Sequence, residues 1–139
     1  MKSFKPILLV EDDNIDATAV RRILDDLRLK NPLVHKPAAE EALQYLRDPK
    51  TQKPCIVLLD LALPKMNGIE FLRAARTENI LDKIPVIVLT ASKSEQQVIE
   101  SFELSVAGYI IKKTNYDDFI KALDAVNRYW TFSELPTGG

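Results

Sequence analysis

A few side chains stand out for the chemistry that their types and positions allow. Glu11, Asp12 and Asp13 follow the apolar run Ile7–Val10 without a break, in "ILLVEDD". Asp60 closes a second apolar run, "CIVLLD" (55–60), and "LALPKMNG" follows it. Thr90 closes a third, "VIVLT" (86–90), and Lys112 closes a weaker one, "YIIK" (109–112). Carboxylates crowded on one edge raise each other's pKa values. A divalent cation removes that conflict, and Mg2+ takes hard oxygen ligands: a carboxylate or two, waters and a phosphate. No His-rich or Cys-rich set suggests zinc. Carboxylates, a metal ion, a hydroxyl and an ammonium at one edge make a phosphoryl site that needs no Gly-rich loop.

Taken singly, each residue has a plainer reading. An acidic trio after a strand is often a helix N-terminus favoured by the helix dipole. Thr90 alone could cap the next helix, Lys112 alone could be a solvated side chain, and Asp60 alone could start a turn. What they share is place: each stands at the carboxyl end of an apolar run, in chain order. His35 is the one histidine; it lies in a weak apolar segment, away in sequence from the acids. It reads as a surface or edge residue with no catalytic role. Cys55 opens an apolar run and reads as a core thiol rather than a reactive one.

The elements that must position these groups alternate along the chain. "ILLV" (7–10), "CIVLLD" (55–60) and "VIVLT" (86–90) are continuously apolar, as strands covered on both faces are. "LVHK" (33–36) and "YIIK" (109–112) are weaker strand candidates. Val20, Ile23, Leu24 and Leu27 have the spacing of one helical face. Ala39, Ala42, Leu43 and Leu46 repeat that spacing, and Phe119, Ala122, Leu123, Val126 and Trp130 repeat it again. Residues 67–77 and 94–104 are further helix candidates, with Ser94 and Gln97 placed for a capping box. Strands alternating with helices predict an α/β fold with a doubly wound parallel sheet and right-handed crossovers. Ligands of such sheets gather at the carboxyl ends of the strands, near the switch in strand order.

The chain has 139 residues, the length of one domain. Apolar residues make up 46%, enough for a core. Nineteen Lys and Arg against twenty Asp and Glu give a formal charge of −1, without the basic footprint of a nucleic-acid binder. One cysteine excludes an internal disulfide. The N-terminal apolar run is too short for a signal peptide, and no run approaches a membrane span. The expectation is a cytoplasmic protein with no nucleic-acid or membrane partner.

With these residues in place, the chain resembles the receiver domains of two-component response regulators, the chemotaxis regulator type among them. "ILLVEDD", "VLLDLALPKMNG", "VIVLTA" and "AGYIIKK" carry the likeness, which spans about residues 6–130. The resemblance implies a flavodoxin-like (βα)5 fold with strand order 2-1-3-4-5, and a single domain over 1–139 with a short tail at 131–139. It implies that Asp60 is the phosphoacceptor. Glu11 and Asp12 match the acidic pair that holds Mg2+, together with Asp60 and the backbone carbonyl of Ala62. Thr90 matches the hydroxyl that binds the acyl phosphate, Lys112 the motif lysine and Tyr109 the switch aromatic. The implied partner is a sensor histidine kinase, and the implied output face lies within residues 94–130. "NRYWTFSELP" and "SFELSVAGYIIKK" also resemble stand-alone regulators of phytochrome-type kinases.

Two departures from the family pattern stand out. Lys113 replaces the proline that usually follows the lysine; a trans bond and a remodelled loop are expected, because a non-proline cis bond costs about 2.5–4 kcal/mol. Small residues, Ala62 and Ser92, occupy two tuning positions. No output domain is expected after the last helix, and Tyr129, Trp130 and Phe132 are expected to support a homodimer. The alternatives are a receiver-fold interaction module, a phosphate sink without output of its own, and an aspartate-nucleophile phosphatase. The last is disfavoured because Ala62 stands where its second Asp would be.

Overall fold

The computed structural model describes residues 4–90, 103–112, 117–125 and residue 128. The side chain of Thr90, residues 94–102 of the helix expected over 94–104, Lys113 and the aromatic residues Tyr129, Trp130 and Phe132 lie outside the described residues. The elements run β1 (Ile7–Val10), α1 (Asn14–Asp26), β2 (Leu33–Lys36), α2 (Ala39–Arg47), β3 (Ile56–Asp60), α3 (Gly68–Thr77), β4 (Val86–Thr90) and β5 (Gly108–Ile111). A last helical stretch covers 117–125. The strands form one sheet in the order β2-β1-β3-β4-β5, and every neighbouring pair is parallel. This is the doubly wound order expected. It places the switch point between β1 and β3, where a crevice opens beyond the strands' carboxyl ends.

The continuous apolar strands are explained by two cores, one on each face. Leu8, Val10, Val57, Leu59, Val86 and Val88 pack with α2 and α3. Their chain neighbours Ile7, Leu9, Ile56, Leu58, Ile87 and Leu89 pack with α1, Phe119 and Leu123. Alternate residues of a strand point to opposite faces, so a strand covered twice has no polar side. Each fully buried Leu, Ile or Val contributes about 1.5–3 kcal/mol relative to exposure, and that holds the central strands β1, β3 and β4 in place.

Register then delivers the polar residues to one edge. Val10 pairs with Leu59, so Glu11 and Asp60 are the next positions on adjacent strands. Asp60 pairs with Leu89 and Thr90 with Ile111, which puts Thr90 and Lys112 one step beyond. Two expectations shift slightly. β3 opens at Ile56, leaving Cys55 half-buried before it, its thiol donating to the Lys5 carbonyl at 3.7 Å. β5 closes at Ile111, so Lys112 is the first residue past the strand, where its long side chain can turn back over the edge.

Candidate functional site

The acidic trio after β1 divides its work. Glu11 is fully buried. Its Oε2 accepts from the Asp13 amide at 3.3 Å, and its Oε1 accepts from Lys112 Nζ at 2.6 Å. Asp13 is the N-cap of α1, its Oδ1 accepting from the amides of Ile15 at 2.8 Å and Asp16 at 3.1 Å. This supplies acceptors for the free N–H groups of the first turn, so the helix-start reading of the trio holds for Asp13. Asp12 stays exposed at the mouth of the pocket, between the buried acid and the cap.

Asp60 is the last residue of β3 and is 4% exposed. Its Oδ1 accepts from the Ala62 amide at 3.0 Å, and its Oδ2 lies 3.3 Å from Lys112 Nζ. The loop after it is drawn in by α3. The Gly68 amide donates to the Leu61 carbonyl at 3.0 Å. A Cβ on Gly68 would sit 2.7 Å from the Asp60 carbonyl oxygen and from Leu61 Cα. Only glycine lets the helix start this close behind Asp60. Asn67 and Glu70 close a capping box around the same turn, so the Asn-Gly pair serves as helix cap and close-packing point.

One oxygen each of Glu11, Asp12 and Asp60 lies within 4.8 Å of the others. The donors are all hard carboxylate oxygens, and Asp12 leaves the set open to solvent. That suits Mg2+ or Mn2+, which keep several waters or take phosphate oxygens. The charge balance agrees, since among the described residues Glu11, Asp12, Asp16 and Asp60 face a single ammonium. Burial, and then the neighbouring Asp60, push the Glu11 carboxyl up to about 8 against the opposing pull of Lys112. Burial acts to lower the Lys112 pKa, but its bonds to Asp16 and Glu11 and the field of Asp60 outweigh that and raise it, so the ammonium stays charged.

The sequence-expected residues Glu11, Asp12, Asp60 and Lys112 thus converge. Ala62 enters through its amide on Asp60. Thr90 ends β4 at the same edge, and Tyr109 is half-buried on β5 against the α2–α3 core. Two residues were not anticipated. Asp16 Oδ2 accepts from Lys112 Nζ at 2.7 Å; only its place in the first turn of α1, four residues after Asp12, hinted at it. His35 lies in the edge strand β2 as expected, but it is not remote from the acids: Nε2 donates to the Glu11 carbonyl at 2.7 Å. The β1–β2 register, which pairs Leu9 with His35, accounts for this and is not readable from a short polar strand.

The family profile of the response regulator receiver domain matches residues 7–124. Response regulator Rcp1 of Synechocystis sp. (strain ATCC 27184 / PCC 6803 / Kazusa) is 35% identical over 130 residues, which is 91% of this chain and 88% of that protein. The structure of the phosphorylated cyanobacterial phytochrome response regulator RcpA superposes with a TM-score of 0.83 at 31% identity, covering 93% of this chain and 95% of that one. The Mn(2+)-bound form of Rcp1 superposes with a TM-score of 0.81 at 35% identity, covering 91% and 94%.

Proposed function

The chain belongs to the response regulator receiver family of two-component signalling, with relatives among phytochrome response regulators, and from that premise we propose that Asp60 accepts a phosphoryl group from a sensor histidine kinase. The observation that carries the reading is the position of Asp60. It ends a buried strand inside a set of carboxylates fit for a divalent ion, 3.3 Å from a buried ammonium.

In the proposed transfer an Asp60 carboxylate oxygen attacks the phosphorus of a kinase phosphohistidine. The new P–O bond forms as the P–N bond breaks, and the imidazole leaves with the electron pair and takes up a proton. Glu11, Asp12, Asp60 and the Ala62 carbonyl would hold Mg2+, which offsets charge on the phosphoryl oxygens. The Ala62 amide keeps the Asp60 carboxylate aimed. Lys112 meets the charge that develops on the equatorial oxygens. Thr90 binds the new acyl phosphate, and Tyr109 turns inward as Thr90 moves. A local charge change is thereby read out on the face within 94–130.

The partner in this reading is a phytochrome-type kinase, a reading supported by the likeness to RcpA, a phytochrome response regulator. The protein acts in the cytoplasm as a single-domain phosphoacceptor rather than a turnover enzyme. It pairs as a homodimer through the 94–130 face and the C-terminal aromatics. Among the described residues no helix is long and apolar enough to cross a membrane. Incubation with a radiolabelled phytochrome-type histidine kinase tests the partner: label should pass to the wild type within the time course and not to Asp60→Asn. Label kept on such kinases but accepted from an unrelated class of histidine kinase would overturn the partner assignment.

A further inference from the structure

Lys112 Nζ has three protons and, among the described residues, three acceptors: Glu11 at 2.6 Å, Asp16 at 2.7 Å and Asp60 at 3.3 Å. Its side chain is 6% exposed, so water is a poor substitute for any of them. Glu11 and Asp60 belong to the divalent-ion cluster; Asp16 does not. A divalent ion in that cluster draws on oxygens that now accept from the ammonium. An ammonium stripped of its acceptors while still buried is strongly disfavoured. Asp16 is the acceptor that can stay. Its amide is bound to the Asp13 cap, which fixes its place on the first turn, and its side chain is 37% exposed, so its charge is partly solvated.

We infer that Asp16 is a positioning residue that takes the Lys112 ammonium when the divalent ion claims Glu11 and Asp60, and so favours ion binding without touching the ion. The inference rests on the receiver reading of the pocket. Without the Asp16 charge, Lys112 in the ion-free protein competes harder for Glu11 and Asp60. In the loaded protein the ammonium stands less neutralised beside a divalent charge. Both effects weaken binding, whereas a residue that served only the helix N-terminus would act independently of Lys112.

Titration of the full chain with Mg2+ by calorimetry, and with Mn2+ by electron paramagnetic resonance, tests this. Asp16→Asn should weaken binding on the order of fivefold, the usual range for coupled charged sites. Asp16→Glu should restore most of it. In a Lys112→Met background, Asp16→Asn should change affinity by less than about twofold, because the cycle isolates the pair. In the loaded wild type the Lys112 ammonium should give a slowly exchanging nitrogen-15 NMR signal that Asp16→Asn abolishes. Unchanged affinity in Asp16→Asn, or an equal loss with and without Lys112, would overturn the inference and leave the receiver reading standing. A wild type that binds neither ion would overturn both.

Discussion

Glu11 accepts from Lys112 through one oxygen and from the Asp13 amide through the other, with no exposure to solvent. Its carboxyl is raised to about 8, so the folded, ion-free protein binds that proton more tightly than the unfolded chain does. The associated stability is complete below the ordinary Glu value near ~4.3 and is lost as pH climbs through about 8. The melting temperature without divalent ions should therefore fall across that window, and Glu11→Gln should flatten the slope. Mg2+ needs the ionised carboxylate, so its affinity should rise over the same window; an affinity independent of pH would contradict the assignment of Glu11. At this scale the strand-end acids and Lys112 were legible because residue type and position coincide. Asp16 was not, since it lies 96 positions from Lys112 and looks like any acid in a helix's first turn. His35 was not, since its contact is with a backbone carbonyl.

Among the elements, α3 connects the pocket to the rest of the sheet. Its first residue, Gly68, leaves no room for a Cβ against Asp60 and Leu61 backbone. Gly68→Ala should destabilise the fold by about 1–3 kcal/mol, the range for overpacking a tight site, and should displace Asp60 enough to slow phosphoryl uptake; urea denaturation and labelling rate measure the two effects. Near its other end Arg76 donates to the carbonyls of Leu104 and Ser105 at 3.1 Å and of Leu81 at 3.4 Å. It ties α3 to the segment entering β5. Arg76→Met should cost about 1–3 kcal/mol through carbonyls left unmet, with faster amide exchange over 104–107. Apolar period revealed α1 and α2, whose expected inward residues Val20, Ile23, Leu24, Ala39, Ala42, Leu43 and Leu46 are buried, while Leu27, at the C-cap of α1, is half-buried. Gly68 and Arg76 escaped that reading because close backbone approach and guanidinium–carbonyl contacts leave no periodic trace.

Across the whole molecule, two apolar layers hold a parallel sheet whose register sets acids and an ammonium from distant segments around one pocket. The parallel α/β class was legible from the alternation of elements, and the strand order from the resemblance to receiver domains, which the sheet bears out. Side-chain pairing across the edge was not, because it depends on how far Lys112 reaches back past Ile111. An ion bound only by the folded state stabilises it by mass action, roughly 2.7 kcal/mol at one hundred times the dissociation constant. Mg2+ should accordingly raise the melting temperature of the wild type, and Asp12→Ala should remove most of that rise. The most direct measurement is to treat the protein with acetyl phosphate and locate any phosphoryl group by borohydride trapping and tandem mass spectrometry, with and without Mg2+. The account predicts a single Mg2+-dependent modification at Asp60 that Asp60→Asn lacks. Modification at another residue, or none where a control receiver domain is labelled, would contradict it.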